Sequence, residues 1–146
     1  MANKPRKISE KNDKQFQRID ALIARRFIAS NMSDAKWVKL LKAAALFAEK
    51  VPYLNVKLVY DYQVKYTFTE DTPEQVEEFL FSEPTFYKEL EWIEFPYVRK
   101  ITNANGVSIN FQQDLTGLKT HLENLANFPL EETETGLRVR GYIAKT

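Results

Sequence analysis

The side chains in this sequence that could carry acid–base, nucleophilic or metal chemistry are few. There are twenty carboxylates, five scattered serines and a single histidine, His121, and there is no cysteine. The missing cysteine excludes disulfides, thiol nucleophiles, iron–sulfur clusters and cysteine-based zinc sites. One histidine cannot build a multi-histidine metal centre, and no G-x-S-x-G, P-loop or dinucleotide fingerprint is present to supply a nucleophile or a phosphate cradle. At helical spacing Glu74, Glu77 and Glu78 share one face, the arrangement that holds a hard cation or pairs an acid with a base. A solvated acidic helix face has the same spacing, however, and the loop ligands of an oxygen-rich cation site (D-x-[DN]-x-[DN]-G) are missing. The sequence therefore predicts a non-enzymatic protein with no cofactor, no metal and no catalytic residue.

Charge is segregated along the chain although the total is only +1. Residues 1–50 hold twelve Lys/Arg against five Asp/Glu. Residues 70–96 hold nine acids (Glu70, Asp71, Glu74, Glu77, Glu78, Glu83, Glu89, Glu91 and Glu94) against Lys88 alone. Such asymmetry shapes surface potential and partner choice. The basic half, with Arg25, Arg26, Lys36, Lys39 and Lys42, suits phosphate, but the acids cancel the excess that a nucleic-acid binder normally shows, and nearby Trp37 falls on an apolar stripe. Nucleic-acid binding through these helices is the alternative to protein binding.

A chain of 146 residues, 44% hydrophobic and 28% charged, fits one domain with a core of its own. Residues 1–8 read as a disordered basic tail. The N-terminus has no apolar signal core and no stretch approaches the roughly 20 apolar residues of a membrane span, so a cytoplasmic location is expected.

The elements that must position these groups follow from periodicity. Ser9 opens a helix to Ala29. Ser33 caps a second, whose stripe Trp37, Leu40, Leu41, Ala44, Phe47, Ala48 and Val51 ends at Pro52. From Leu54 to Phe68 the period is two. The run is too long for one strand in a domain of this size, so a turn near Asp61 is expected. A three-residue turn, Asp61-Tyr62-Gln63, keeps parity and buries Leu54, Val56, Leu58, Val64, Tyr66 and Phe68 together against Trp37, Leu40, Phe47, Leu118 and Leu122; a two-residue turn flips it. Thr72 and Pro73 start a short helix with Val76, Phe79 and Leu80 inward. Leu90–Phe95 is a strand. A hairpin follows at Ala104-Asn105-Gly106, in the register that pairs Ile101 with Ile109 and puts Ile101, Val107, Ile109 and Phe111 on one face. Asp114 caps a helix bearing Leu115, Leu118, Leu122 and Leu125, with His121 on its flank, and Leu137–Ile143 forms the last strand. The fold class is α+β: one mainly antiparallel sheet with helices packed mostly on one face, in the order ααββαβββαββ.

Three segments, Asn31-Met32-Ser33 leading to Trp37, Glu91-Trp92-Ile93-Glu94-Phe95, and Val139-Arg140-Gly141-Tyr142, resemble a family of small bacterial domains of unknown function. That family is similar in style to the immunity proteins of bacterial toxin systems, and the resemblance spans residues 31–143. It implies a stoichiometric inhibitor of a cognate toxin. In that role the acidic segment, Glu70, Asp71, Glu74, Glu77 and Glu78, meets a basic toxin domain and occludes its active site. Tyr87 and Trp92, with Phe86 and Tyr97 nearby, supply aromatic anchors.

Overall fold

The computed structural model describes residues 13–71 and 86–145. Within them the chain is α+β, with antiparallel pairing throughout. Helix α1 (Asp13–Arg26) leads directly into strand β1 (Phe27–Ser30). Helix α2 (Asp34–Ala45) follows, then β2 (Tyr53–Leu58), β3 (Lys65–Phe68), β4 (Leu90–Pro96), β5 (Val98–Thr102) and β6 (Ser108–Gln112). Helix α3 (Thr116–Leu125), β7 (Leu130–Glu132), β8 (Gly136–Arg140) and β9 (Tyr142–Ala144) complete it. Five strands form the main sheet in the order β3-β2-β4-β8-β7, while β1-β9 and β5-β6 form two separate ribbons. The helix expected at Thr72, with Val76, Phe79 and Leu80, lies outside the described residues.

Helix α2 starts where its cap predicts. Ser33 is extended, at φ −81° and ψ 163°, and its hydroxyl accepts the Lys36 N–H at 3.1 Å. Trp37, Leu40, Leu41 and Ala44 then face inward. The helix stops at Ala45 rather than at Val51. The next N–H groups bond three residues back, Leu46 to Ala43 and Phe47 to Ala44, which tightens the chain yet keeps Phe47 and Val51 against the core. Trp37, Leu40 and Leu41 of α2 and Leu118 and Leu122 of α3 pack with Leu54, Val56, Leu58, Ile93, Phe95, Leu137 and Val139, so both helices cover one face of the sheet. Helix α1 serves a smaller cluster in which Ile19 and Phe27 meet Val59, with Tyr142 stacked on Phe27 at 4.9 Å.

The parity expected across β2 and β3 is wrong. Leu54, Val56 and Leu58 are buried, but Tyr53 pairs with Phe68, Asn55 with Tyr66 and Val56 with Lys65. The connection from Val56 to Lys65 therefore holds an even number of residues, and side chains on β3 change face. Its turn forms with the Asp61 N–H donating to the Leu58 carbonyl and Asp61 Oδ1 accepting the Gln63 N–H at 2.9 Å. Tyr66 and Phe68 consequently lie on the side away from the helices, 62% and 49% exposed.

Strand β4 is central, between β2 and β8, with a bulge at Glu91 where Lys57 pairs with Trp92 but Leu58 with Leu90. The last strand expected from Leu137 to Ile143 is two strands. Residues up to Arg140 belong to the main sheet, and after Gly141 the chain crosses to pair with β1, a strand the helical reading of residues 9–29 had absorbed. The β5–β6 hairpin has the expected register: Ile101 faces Ile109, and Gly106 takes φ 81°, the left-handed value that the three-residue loop needs. Its face is not core, however. Val107 and Ile109 are each 59% exposed, because the ribbon touches the body at its base and nothing described covers its outer half.

Candidate interaction surface

The acidic stretch divides in two. Glu70 is exposed in a short 3-10 turn, Thr69–Asp71, which Asp71 ends; Glu74, Glu77 and Glu78 lie outside the described residues. The later acids turn inward. Glu89 is buried and accepts the Tyr60 hydroxyl at 2.9 Å and the Phe86 N–H at 2.6 Å. Glu91 meets Arg26 Nη2 and Lys57 Nζ, each at 3.0 Å. Glu94, 3% exposed, takes Arg138 Nε at 3.0 Å and the hydroxyls of Thr133 and Thr135 at 2.9 and 2.8 Å. Three of the acids are thus internal counter-ions or hydrogen-bond acceptors, and one of their cations, Arg26, comes from the basic N-terminal half.

Tyr87 and Trp92 are not surface anchors. Tyr87 is 1% exposed, because the 3-10 turn Tyr87–Glu89 directs its ring into the main core. Trp92 points to the helix-free face of the sheet but lies beneath the Arg138 guanidinium, whose carbon is 3.9 Å from the ring centre, and is 9% exposed. Phe86 is half-buried, edge-on to Phe16 at 4.9 Å, and Tyr97 alone of the four keeps substantial exposure.

The exposed aromatic surface is elsewhere. Alternation places Tyr53, Asn55 and Lys57 on the helix-free face, since Leu54, Val56 and Leu58 face the helices. Cross-strand pairing adds Phe68 and Tyr66 beside them, with Tyr53 and Phe68 ring centres 5.7 Å apart. The base of the β5–β6 ribbon closes over this patch. Phe111 meets Tyr53 edge-on at 5.4 Å, and the Arg99 guanidinium lies over Tyr66 at 4.3 Å and near Tyr53 at 5.1 Å. Ile101, Val107 and Ile109 continue the ribbon face that bears Arg99 and Phe111. Residues 96–113 contain Arg99 and Lys100 and no acid. Tyr66, Phe68 and Arg99 are not among the interaction residues the sequence singles out, because unbroken alternation puts Tyr66 and Phe68 in the core; the signal for their exposure is an even-length turn near Asp61, which reverses the face of β3.

Residues 19–146 match a family of unknown function, DUF6678. The chain belongs to the DUF6678 family. No curated protein and no solved structure matches it.

A second concavity of this DUF6678 chain, about 380 Å³, is lined by Tyr97, Gln113, Asp114, Thr116, Lys119 and Glu132 among others. Three of its charged groups, Asp114, Lys119 and Glu132, are engaged within the chain. The Thr116 N–H, followed by the Thr116 side chain, holds the Asp114 carboxyl below the usual carboxylate range, and the hydrogen bond from Lys119 to Glu132, 2.8 Å, holds the ammonium above its ordinary value. Gln113 is structural, bonding the backbone of Tyr53 and Pro96. His121 rests half-buried beside Phe47, ring centres 5.4 Å apart. Among the described residues no cluster of three or more His, Asp or Glu could hold a metal ion, and no helix is long and apolar enough to cross a membrane.

Proposed function

We propose that this DUF6678 member is a non-catalytic protein-binding module, an immunity-type inhibitor that occupies the active site of a cognate bacterial toxin. The observation that carries this reading is the exposed group Tyr66, Phe68 and Ile109 around Arg99. Tyr and Arg anchors set among apolar neighbours are the composition of a binding hot spot, and grouped apolar exposure on a folded surface marks an interaction site. Glu70, exposed at the end of β3 just past Thr69, places a negative charge near the aromatic patch that steers a basic partner toward it. The nucleic-acid reading loses two of its cations, since Arg26 is engaged by Glu91 and Lys36 donates to the Asn127 carbonyl.

The test is co-expression with each open reading frame encoded beside this one. One frame should arrest growth alone and be neutralised by the wild-type chain. Tyr66→Ala with Phe68→Ala should abolish that protection while the chain stays folded, the melting temperature falling by about 5–10 °C because both rings are only partly covered. Full protection by the double variant, or no toxic frame that the chain neutralises, would remove the proposal.

A further inference from the structure

Among the described residues, four cations sit on aromatic rings, and three of them also hold a carboxylate. Arg26 lies over Phe27 at 4.9 Å and meets Glu91 at 3.0 Å. Lys88 lies over Phe16 at 4.5 Å and meets Asp20 at 2.9 Å. Arg138 lies over Trp92 at 3.9 Å and meets Glu94 at 3.0 Å. Arg99 is the exception: half-buried on Tyr66 and Tyr53, it meets no carboxylate among the described residues, and its Nη1 is buried with no acceptor. The two rings flank the guanidinium carbon, and of its nitrogens only Nη1 is buried without a partner. A second polar atom on the same patch is unmet, for Asn55, the cross-strand neighbour of Tyr66, has its Oδ1 buried without a donor.

We infer that Arg99 is the receptor for a carboxylate, carried by an Asp or Glu side chain on an extended segment of the partner protein. This rests on the protein-binding reading and names the chemistry at its centre. A partly buried guanidinium with an N–H that lacks an acceptor is costly, and the planar fork of an arginine positioned by two rings matches a carboxylate in two parallel hydrogen bonds. The ribbon around it carries no acid to compete, and Ile101, Val107 and Ile109 give the flanking apolar residues of such a segment a surface to cover. The partner is therefore bipolar, basic opposite Glu70 and acidic opposite Arg99, which fixes its orientation.

The experiment is an NMR titration of the full-length protein, following the Arg99 Nε–Hε signal and the β5–β6 amides. The probes are a blocked peptide of alternating Thr and Val with one central Glu, the same peptide with Gln or Lys there, and a short oligo(dT). The Glu peptide should move the Arg99 signal and bind about ten- to hundredfold more weakly to Arg99→Gln, the fold-change set by losing hydrogen bonds to a charged group. Lys100→Gln, the same charge change next door, should bind as wild type. Arg99→Lys, which keeps the charge and loses the fork, should fall between and serves if the Gln variant melts early. No movement of the signal, equal binding of all three peptides, or tighter binding of oligo(dT) would each overturn the inference; the last would make phosphate the ligand. If Arg99→Gln protects against the toxin as well as wild type does, the carboxylate site falls and the protein-binding reading stands. If no neighbouring frame is neutralised, that reading falls whatever the peptides do.

Discussion

Replacing Glu94 by alanine should be among the most damaging single changes in the sheet. The carboxylate sits on the central strand β4, its side chain 4% exposed, and accepts from Arg138 and from the hydroxyls of Thr133 and Thr135. Removing it strands a guanidinium whose side chain is 20% exposed and frees two hydroxyls from their acceptor. Breaking a buried pair from one side costs about 3–5 kcal/mol, because the remaining charge stays desolvated. For a chain of this length that lowers the melting temperature by roughly 10–20 °C. Glu94→Gln can keep Oε1 as acceptor for Arg138 and Thr133 while its amide N–H turns to the Thr135 hydroxyl, and, having lost the charge opposite Arg138, should cost about 2 kcal/mol. Urea unfolding followed by tryptophan fluorescence suits the measurement, since Trp37 and Trp92 are both buried and Trp92 lies directly under Arg138. Glu94→Leu combined with Arg138→Met removes both charges and should recover most of the loss. A cost below about 1 kcal/mol for Glu94→Ala would show that water reaches Arg138 freely, and the argument from burial would fail.

Gly136→Ala should destabilise by about 1–3 kcal/mol, because an added Cβ runs into the Phe95 carbonyl and Pro96 Cα on β4, and the two strands must separate to admit it; unchanged denaturant unfolding would contradict that packing. Burial, the largest cause, with Asp20 and other acids nearby, pushes the Tyr142 phenol from 10.0 up to about 12, and its hydroxyl donates to the Lys88 carbonyl. Because the folded value is the higher one, the stability this group contributes is complete below about pH 10 and is lost as pH rises through about 12. Tyr142→Phe should flatten that part of the stability profile, and parallel profiles for the two proteins would refute the assignment.

Legibility in the sequence followed how local each determinant was. Ser33 and the stripe behind it define the start of α2 because a cap and an apolar face act within a few residues. The hairpin register was readable because Gly106 in a three-residue loop leaves little choice. The parity of β2 and β3 was not readable, since alternation continues unbroken from Leu54 to Phe68 and the turn at Asp61 can hold either count. That one ambiguity moved Tyr66 and Phe68 from core to surface and hid the candidate site with them. Strands β1 and β7 are too short to show a period, and their reason for existing is a partner distant in sequence. The acidic excess of residues 70–96 misled in a different way. Composition counts Glu89, Glu91 and Glu94 with their neighbours, and only the fold shows that Tyr60, Arg26, Lys57 and Arg138 satisfy them.

The pairing of Phe27 with Ala144, and the insertion of β8 between β4 and β7, carry a kinetic consequence. The first joins segments separated by most of the chain and the second brings β8 back to β4 across α3 and the β5–β6 ribbon, so the loop-closure entropy falls due before the sheet is whole. Folding should therefore run on the millisecond-to-second scale of non-local β topologies rather than at helical-bundle speed. The small β1–β9 ribbon, which joins the two most distant strands in the sequence, should close late. Destabilising it should speed unfolding while leaving the refolding rate nearly unchanged.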